Sequence, residues 1–243
     1  MRAKLASYDL FRIDHFRGFA AYWAVPADEP TAQHGRWEPG PGAALFLALT
    51  QALGPLPILA EDLGVITPDV IALREQFHYP GMKILQFAFD SAEASEFRPH
   101  TYPPRCVVYT GTHDNDTIVG WYAKASAGDR AYAEAYLGAH GPNVAWDFVR
   151  AAWASPALVA MAPLQDLLGL GSEARFNVPG TLEGNWEWRC AESALTPALA
   201  ARLKRLSDVC CRAEDPLHKP KPRSGPLPPI GPAREPGHGP GLT

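Results

Sequence analysis

Short apolar segments rich in β-forming residues alternate with longer helical segments along most of this chain. The strand-like segments are bounded by Gly, Pro or Asp and cover residues 8–14, 56–60, 82–89 and 106–110. Segments with helical periodicity lie between and after them and cover residues 41–53, 68–77, 129–137, 143–153, 156–168 and 197–210. Length and flanking residues distinguish the two kinds of segment. The alternation predicts an α/β fold with a parallel sheet, either open and doubly wound or closed as a barrel.

Composition and charge exclude several classes of protein. Of 243 residues 47% are hydrophobic and 20% are charged, which is typical of a globular protein. The 26 acidic and 22 basic side chains disfavour nucleic acid as the main partner. Apolar runs are much shorter than the ~18 residues of a membrane helix, so we expect no membrane association. Four scattered cysteines suit neither a disulfide framework nor a zinc site, and we expect a cytoplasmic protein.

The composition changes abruptly after Cys211. Residues 213–243 hold nine Pro and five Gly among 31 residues, and no aromatic residue. Such a segment buries too little apolar surface to offset the entropy lost on ordering. We therefore expect two parts, a folded region over 1–212 and a Pro/Gly-rich disordered tail over 213–243.

Three carboxylates stand where predicted strands end. Asp14 and Glu61 each close a strand-like segment, and Asp114 follows the segment that ends at residue 110. The carboxyl ends of parallel strands share one rim, so residues distant in sequence converge there. Three acids at one rim suit acid/base and nucleophilic work on a glycosidic bond. A metal site is the rival interpretation, because HDND at 113–116 is rich in oxygen ligands, but the sequence lacks a twelve-residue calcium loop.

The neighbours of these acids favour the glycosidic interpretation. Arg12 and Asp14 are two residues apart on a strand and point to the same side, so the guanidinium favours an ionised, nucleophilic Asp14. Glu61 follows an apolar run and precedes Asp62, which favours a protonated Glu61 that acts as a proton donor. A helix cap or a surface charge is the commoner explanation of any one such acid. Three of them at strand ends make the catalytic interpretation stronger.

Three segments resemble the active-site motifs of the amylomaltases, the 4-α-glucanotransferases of glycoside hydrolase family 77. They are RIDHFRGF at 12–19, AEDLG at 60–64 and YTGTHDNDT at 109–117. Further segments are similar to framework segments of that family: GRWEPGPG at 35–42, YPGMKILQFAF at 79–89, NVPGT at 177–181 and NWEWR at 185–189. The similarity runs from about residue 8 to about residue 210. Ordinary α-amylases share only the short elements around the three acids.

The resemblance implies a (β/α)₈ TIM barrel, of which this chain holds about the C-terminal half. It implies a retaining mechanism in which Asp14 is the nucleophile and Glu61 the general acid/base. Asp114 would hold hydroxyls of the donor sugar, Arg12 would orient Asp14, and His113 would hydrogen-bond the sugar at the cleavage point. Retaining enzymes place the nucleophile and the acid ~5–5.5 Å apart.

The implied activity is transfer of α-1,4-glucan segments between malto-oligosaccharides, without a cofactor or a metal. Two alternatives stay open: an α-glucan hydrolase of the amylase type, and a truncated fragment that does not catalyse. Because half a barrel leaves strand edges open, we expect the isolated chain to be inactive. Trp121, seven residues after Asp114, is a candidate for stacking on a glucose ring, although core packing is the commoner fate of a tryptophan.

The composition of residues 213–243 leads to a deletion test. Removing them should change neither the melting temperature nor sugar binding, because the segment has only four Leu, Ile or Val side chains, and no aromatic one, to contribute to a core. Thermal melts of chains 1–243 and 1–212, each with and without maltotriose, measure this. A melting temperature lowered by several degrees in the shorter chain would contradict a disordered tail.

Overall fold

The computed structural model describes residues 1–92, 95–138 and 141–212. The predicted tail over 213–243 lies outside these ranges, so the division of the chain at residue 212 stays a prediction. Among the described helices, none has both the length and the apolar character needed to cross a membrane.

Strands and helices alternate through the described ranges, as the sequence predicts. The first half contains α1 (Arg2–Ser7), β1 (Phe11–Ile13), β2 (Ala21–Ala24), β3 (Arg36–Pro39), α2 (Gly42–Leu53), β4 (Ile58–Ala60), α3 (Pro68–Gln76) and β5 (Gly81–Ile84). The second half contains β6 (Cys106–Tyr109), α4 (Ile118–Lys124), α5 (Ala127–Leu137), α6 (Val144–Ala154), β7 (Val159–Met161), α7 (Leu164–Leu168) and α8 (Pro197–Val209). Short 3₁₀ helices join several of them, notably at Phe16–Phe19, Leu85–Phe89 and Ser172–Ala174.

Five of the strands are parallel. β1 pairs with β4, with Ile13 opposite Ala60, and β5, β6 and β7 form a second parallel sheet in that order. A hydrogen bond of 2.9 Å from the Ala60 amide to the Pro80 carbonyl connects β4 to the start of β5. β2 and β3 form a separate antiparallel hairpin. The predicted α/β class is confirmed, and the described residues by themselves do not close a barrel.

Two predicted segments fold differently from the expectation. The strand expected over 82–89 ends at Ile84 and turns into a 3₁₀ helix, which places Leu85, Ala88 and Phe89 together in the core. The helix expected over 156–168 is instead β7 followed by the short α7. A short apolar run fits either structure by composition, and the neighbouring β6 here supplies the partner that makes it a strand. The β2–β3 hairpin, α1 and α4 were not predicted from the sequence.

Hydroxyl caps explain where several helices begin. The side chain of Thr117 accepts a hydrogen bond from the Gly120 amide (3.0 Å), and that of Ser126 accepts one from the Asp129 amide (3.0 Å). Thr196 caps α8 in the same way, before a proline at the first helical position. Each cap satisfies an amide that the first turn leaves without a helical partner.

Besides a small group formed by Leu59, Met82 and Val107 of β4, β5 and β6, the sheets pack against two large apolar clusters. The larger lies around Phe89, Val108 and Phe148 and covers one side of β6 with helices α4, α5 and α6. The smaller lies around Phe16 and Phe46 and covers β1 and β4 with helices α2 and α3. In this cluster the Phe46 ring lies 5.1–5.5 Å from the rings of its aromatic neighbours, which are Phe16, Phe19, Phe77 and Tyr79.

The smaller cluster can be tested by truncating one ring. Phe46 is 0% exposed, whereas Leu47, the next residue of α2, is 56% exposed. Phe46→Ala should lower the free energy of unfolding by about 3–5 kcal/mol, because it leaves a cavity among four aromatic rings. Leu47→Ala should change it by less than about 0.5 kcal/mol. Urea titrations of both variants measure this, and similar losses in the two would contradict the described packing.

Candidate active site

Asp14 and Glu61 follow two paired parallel strands at the same register. Ile13 ends β1 opposite Ala60, which ends β4, so the next residue of each chain segment lies at the same edge. The Glu61 amide donates to the Ile13 carbonyl (3.0 Å), which extends the ladder by one bond. The Arg12 guanidinium forms an ion pair with Asp14, whose side chain is exposed. The predicted pairing of Arg12 with Asp14 is therefore present in the structure.

The Glu61 carboxylate is held by backbone amides. Oε2 accepts from the His15 amide (2.7 Å) and Oε1 from the Leu63 amide (2.9 Å). His15 adopts a left-handed conformation (φ 48°, ψ 52°), which turns its amide toward Glu61 directly after Asp14. The loop that carries Asp14 and the loop that carries Glu61 are thus tied together by this hydrogen bond and by a second, from the Phe16 amide to the Glu61 carbonyl (3.0 Å).

Asp62 does not act on Glu61 as the free like charge that the sequence analysis assumed. Its carboxylate forms a largely buried ion pair with Arg74 of α3 and accepts a hydrogen bond from the Met82 amide (2.7 Å) at the start of β5. Burial raises the pKa of Asp62 above its usual value, against the hydrogen bond from Met82 and the charge of Arg74. A side chain at residue 81 would collide with this pair, so Gly81 is required there. Asp62 therefore joins β4 to β5 beside the site.

Asp114 lies in the loop after β6, where residues from the later part of the chain contact it. Asn177 Nδ2 donates to Asp114 Oδ1 (2.6 Å), and Arg175 Nη2 donates to the Asp114 carbonyl oxygen (2.6 Å). His113 Nε2 lies 3.2 Å from Asp114 Oδ2, and the His113 ring lies 5.3 Å from the ring of Trp186. Sequence reasoning placed Asn177 in a framework segment and gave no role to Arg175.

Two further carboxylates hold the base of the Asp114 loop. Asp166 of α7 is buried and accepts hydrogen bonds from Thr110 Oγ1 (2.6 Å) and from the Ile118 amide (2.8 Å), on either side of the loop. Asp116 accepts from Ser172 Oγ (2.7 Å) and pairs with Lys124 (2.6 Å). Burial raises the pKa of Asp166. For Asp116 burial acts in the same sense, but the hydrogen bonds from Lys124 and Ser172 outweigh it and lower its pKa.

A cavity of about 340 Å³ lies between β1 and the loop after β6. Arg12 and His113, two of the predicted site residues, both line it, together with Tyr109, Arg175 and Trp188. The carboxylates Asp14, Glu61 and Asp114, all in described ranges, lie outside its lining. The structure thus brings Arg12, Asp14 and Glu61 together, holds His113 beside Asp114, and connects the two groups through this cavity.

Trp121 lies at the edge of the larger apolar cluster. Its half-buried ring packs 5.4 Å from the ring of Phe148 and 6.3 Å from that of Phe89. The same ring also borders a shallow cleft near Asp114 and Asp129. Contact of Trp121 with a sugar stays a prediction. Among the described residues, no group of three or more His, Cys, Asp or Glu side chains is arranged to hold a metal ion.

The buried Asp166 leads to a prediction about pH. Because burial raises its pKa above 3.8, the folded chain holds this proton more tightly than the unfolded chain. This contribution to stability is complete below pH 3.8 and is lost as the pH rises through the raised pKa. The unfolding free energy of wild type minus that of Asp166→Asn should therefore decrease as the pH rises from below 3.8 through the raised pKa of Asp166.

Urea titrations across this range measure the difference, and Asp28→Asn is the matched control because Asp28 is exposed. The difference in unfolding free energy between wild type and Asp28→Asn should not change with pH. A difference for Asp166→Asn that increases with pH would show that the folded protein prefers the ionised carboxylate.

Comparison with known proteins adds an independent line of evidence. The family profile described as 4-alpha-glucanotransferase matches residues 1–196, a range that includes all six predicted site residues. The 4-alpha-glucanotransferase of Thermus thermophilus is 50% identical over 213 residues, which are 84% of this chain and 43% of the relative. That of Synechocystis is 50% identical over 211 residues, 86% of this chain and 42% of the relative.

A solved structure supports the same assignment. The amylomaltase from Streptococcus agalactiae in complex with acarbose superposes with a TM-score of 0.84 at 37% identity, over 87% of this chain and 43% of that chain. The chain therefore spans less than half the length of the relatives that it matches, and whether it corresponds to their C-terminal portion stays a prediction. With a family match over most of its length and a shared α/β fold, the chain belongs to the 4-alpha-glucanotransferase family.

Proposed function

We propose that this chain carries the catalytic residues of a 4-α-glucanotransferase, which moves α-1,4-glucan segments between malto-oligosaccharides. The observation that carries the proposal is the joining of Asp14 and Glu61 at the ends of two paired parallel strands, through the 2.7 Å hydrogen bond from the His15 amide. Membership of the family supports the substrate class, as does the acarbose complex of the relative from Streptococcus agalactiae.

Asp14 acts as the nucleophile in this proposal. Its exposed carboxylate attacks the anomeric carbon of the donor glucan, and the bond from that carbon to the leaving oxygen breaks. The ion pair with Arg12 orients the carboxylate. Arg12 is itself held at the wall of the cavity, where its Nη1 lies 3.6 Å from the Met82 sulfur.

Glu61 acts as the general acid and then as the general base. It first gives its proton to the leaving oxygen, and later takes the proton of the acceptor 4-hydroxyl as that oxygen displaces Asp14 from the anomeric carbon. The amides of His15 and Leu63 fix its position. Each carboxyl oxygen accepts one of these bonds and keeps a second lone pair for the transferred proton or for the hydrogen of a sugar hydroxyl.

Asp114 and His113 bind the hydroxyls of the donor sugar at the cleavage point. Asn177 and Arg175 hold the Asp114 side chain and main chain from the far side, so the loop is positioned before a sugar enters. A preorganised group of this kind stabilises the transition state without reorganising during the reaction. Arg175 and Asn177 thereby position Asp114.

We also propose that residues 1–212 belong to a (β/α)₈ barrel in the complete protein. In the described ranges β1 pairs along one edge only, with β4, and β7 pairs along one edge only, with β6. Further parallel strands from the remaining length of the relatives fit these edges. The cytoplasm and the lack of a cofactor stay predictions from the sequence.

The test uses a chimera, because the chain spans less than half of its relatives. Residues 1–212 replace the matching segment of the Thermus thermophilus enzyme, and the chimera is incubated with maltotriose. We expect glucose and maltodextrins longer than maltotriose. Asp14→Asn should lower the rate of transfer by at least about a thousandfold, because the covalent route needs the carboxylate. Asp9→Asn removes an exposed carboxylate five residues earlier and should leave the rate unchanged.

The products formed from maltotriose and the activity of Asp14→Asn distinguish a transferase from a hydrolase and test the role of Asp14. Products that are all shorter than maltotriose would identify a hydrolase instead of a transferase. Transfer by Asp14→Asn at more than about a tenth of the parent rate would overturn the role of Asp14. Chain 1–243 alone serves as the reference without the added segment, and we expect no transfer from it.

A further inference from the structure

The β2–β3 hairpin presents two exposed tryptophans on one face. Trp23 and Trp37 are directly opposite each other in the antiparallel ladder, with ring centroids 5.5 Å apart and ring planes inclined by 66°. Trp23 is 40% exposed and Trp37 is 55% exposed. Tyr22 and Glu38, the neighbouring pair of the ladder, point to the opposite face. The two rings together form an exposed aromatic surface on which an apolar face of a ligand can stack.

This aromatic surface is rigid before anything binds. Trp23 Nε1 donates a hydrogen bond to the Ala32 carbonyl (2.8 Å), which fixes the indole against the loop between the strands. A side chain at residue 35 would collide with the Trp23 ring and the Ala24 carbonyl, so Gly35 lets that loop close over the indole edge. A surface that is already ordered loses little entropy when a ligand stacks on it.

Arg17 connects the aromatic surface to the candidate active site. Its guanidinium lies 4.5 Å from the centre of the Trp37 ring, and its Nη1 donates to the Val65 carbonyl (2.6 Å). Arg17 follows Asp14 by three residues, and Val65 follows Glu61 by four. The surface formed by Trp23, Trp37 and Arg17 therefore continues from the two loops that carry Asp14 and Glu61.

We propose that Trp23, Trp37 and Arg17 form a second binding surface, which holds an α-1,4-linked glucan chain beside the catalytic loops. This inference rests on the proposed function for its choice of glucan. A pyranose ring offers an apolar C–H face to an indole and a rim of hydroxyls to a guanidinium, so both kinds of side chain are used.

The geometry also selects the linkage. An α-1,4 linkage bends the glucan, so glucose units along the chain are inclined to one another. The two indoles pack edge to face and are inclined by 66°, so a bent chain can contact both rings as it turns across them. A β-1,4-linked glucan is flat and extended, and it can stack on one of the two rings only. The surface should therefore prefer maltoheptaose to a cello-oligosaccharide.

The experiment titrates chain 1–243 with maltoheptaose and, separately, with cellopentaose, by calorimetry. Trp37→Ala should raise the Kd for maltoheptaose by about fivefold or more, because stacking on one face is lost. Trp37→Phe should recover part of this loss. Tyr22→Ala is the matched control, since it removes a 47% exposed ring from the opposite face of the same hairpin, and it should change Kd by less than about twofold.

A second measurement uses the chain without substitutions, so its result holds even if Trp37→Ala disturbs the fold of the hairpin. Oxidation of exposed indoles by N-bromosuccinimide, followed by peptide mass spectrometry, reports each tryptophan separately. Maltoheptaose should protect Trp23 and Trp37, and cellopentaose should protect them much less. Equal protection by both sugars, no protection by either, or an equal loss of affinity in Tyr22→Ala would overturn the proposal.

This result is separable from the test of catalysis. The proposed function fails if the chimera transfers no glucan, whatever happens at the hairpin. The binding surface fails if Trp37 is not protected in chain 1–243, whatever the chimera does.

Discussion

The hydrogen bond from the His15 amide to the Glu61 carboxylate is the contact on which the site depends. It joins the residue after Asp14 to the residue that follows the neighbouring strand β4, at 2.7 Å. It requires the left-handed backbone at His15 and the parallel register of Ile13 with Ala60. The sheet, the turn and the two acids therefore form one unit. A shift of register by one residue would carry Glu61 to the other face of its strand.

Buried carboxylates hold the surroundings of this unit in place. Asp62 joins the start of β5 to α3 through Met82 and Arg74, at the seam where β4 and β5 share one ladder bond. Asp166 holds both ends of the loop that carries Asp114. Taking a carboxylate out of water costs free energy, which hydrogen bonds and a paired cation offset. The raised pKa values of Asp62 and Asp166 reflect that cost. These two buried carboxylates lie where irregular segments, the start of β5 and the Asp114 loop, are held by their hydrogen bonds.

The sequence predicted the regular elements best where local chemistry decided them. Thr196 and Pro197 marked the start of α8, and the apolar run before Glu61 marked β4. The prediction of helices and strands failed where contact with a residue distant in sequence determined the secondary structure. The segment around Val159 is a strand because β6 lies beside it, and residues 85–89 leave the sheet because their side chains fill the core. The β2–β3 hairpin was missed because its two strands pair across the intervening residues 25–35.

The sequence by itself determined which residues stand at the ends of strands, and therefore that Asp14, Glu61 and Asp114 are candidates for chemistry. It also determined the local pair of Arg12 with Asp14, because two residues apart on a strand share a face. Only the tertiary structure decided what each acid contacts. Asp62 pairs with Arg74, Asn177 reaches Asp114 from 63 residues away, and Arg17 connects Trp37 to Val65. Contacts of this kind depend on how separate elements pack, and local sequence periodicity carries no information about that.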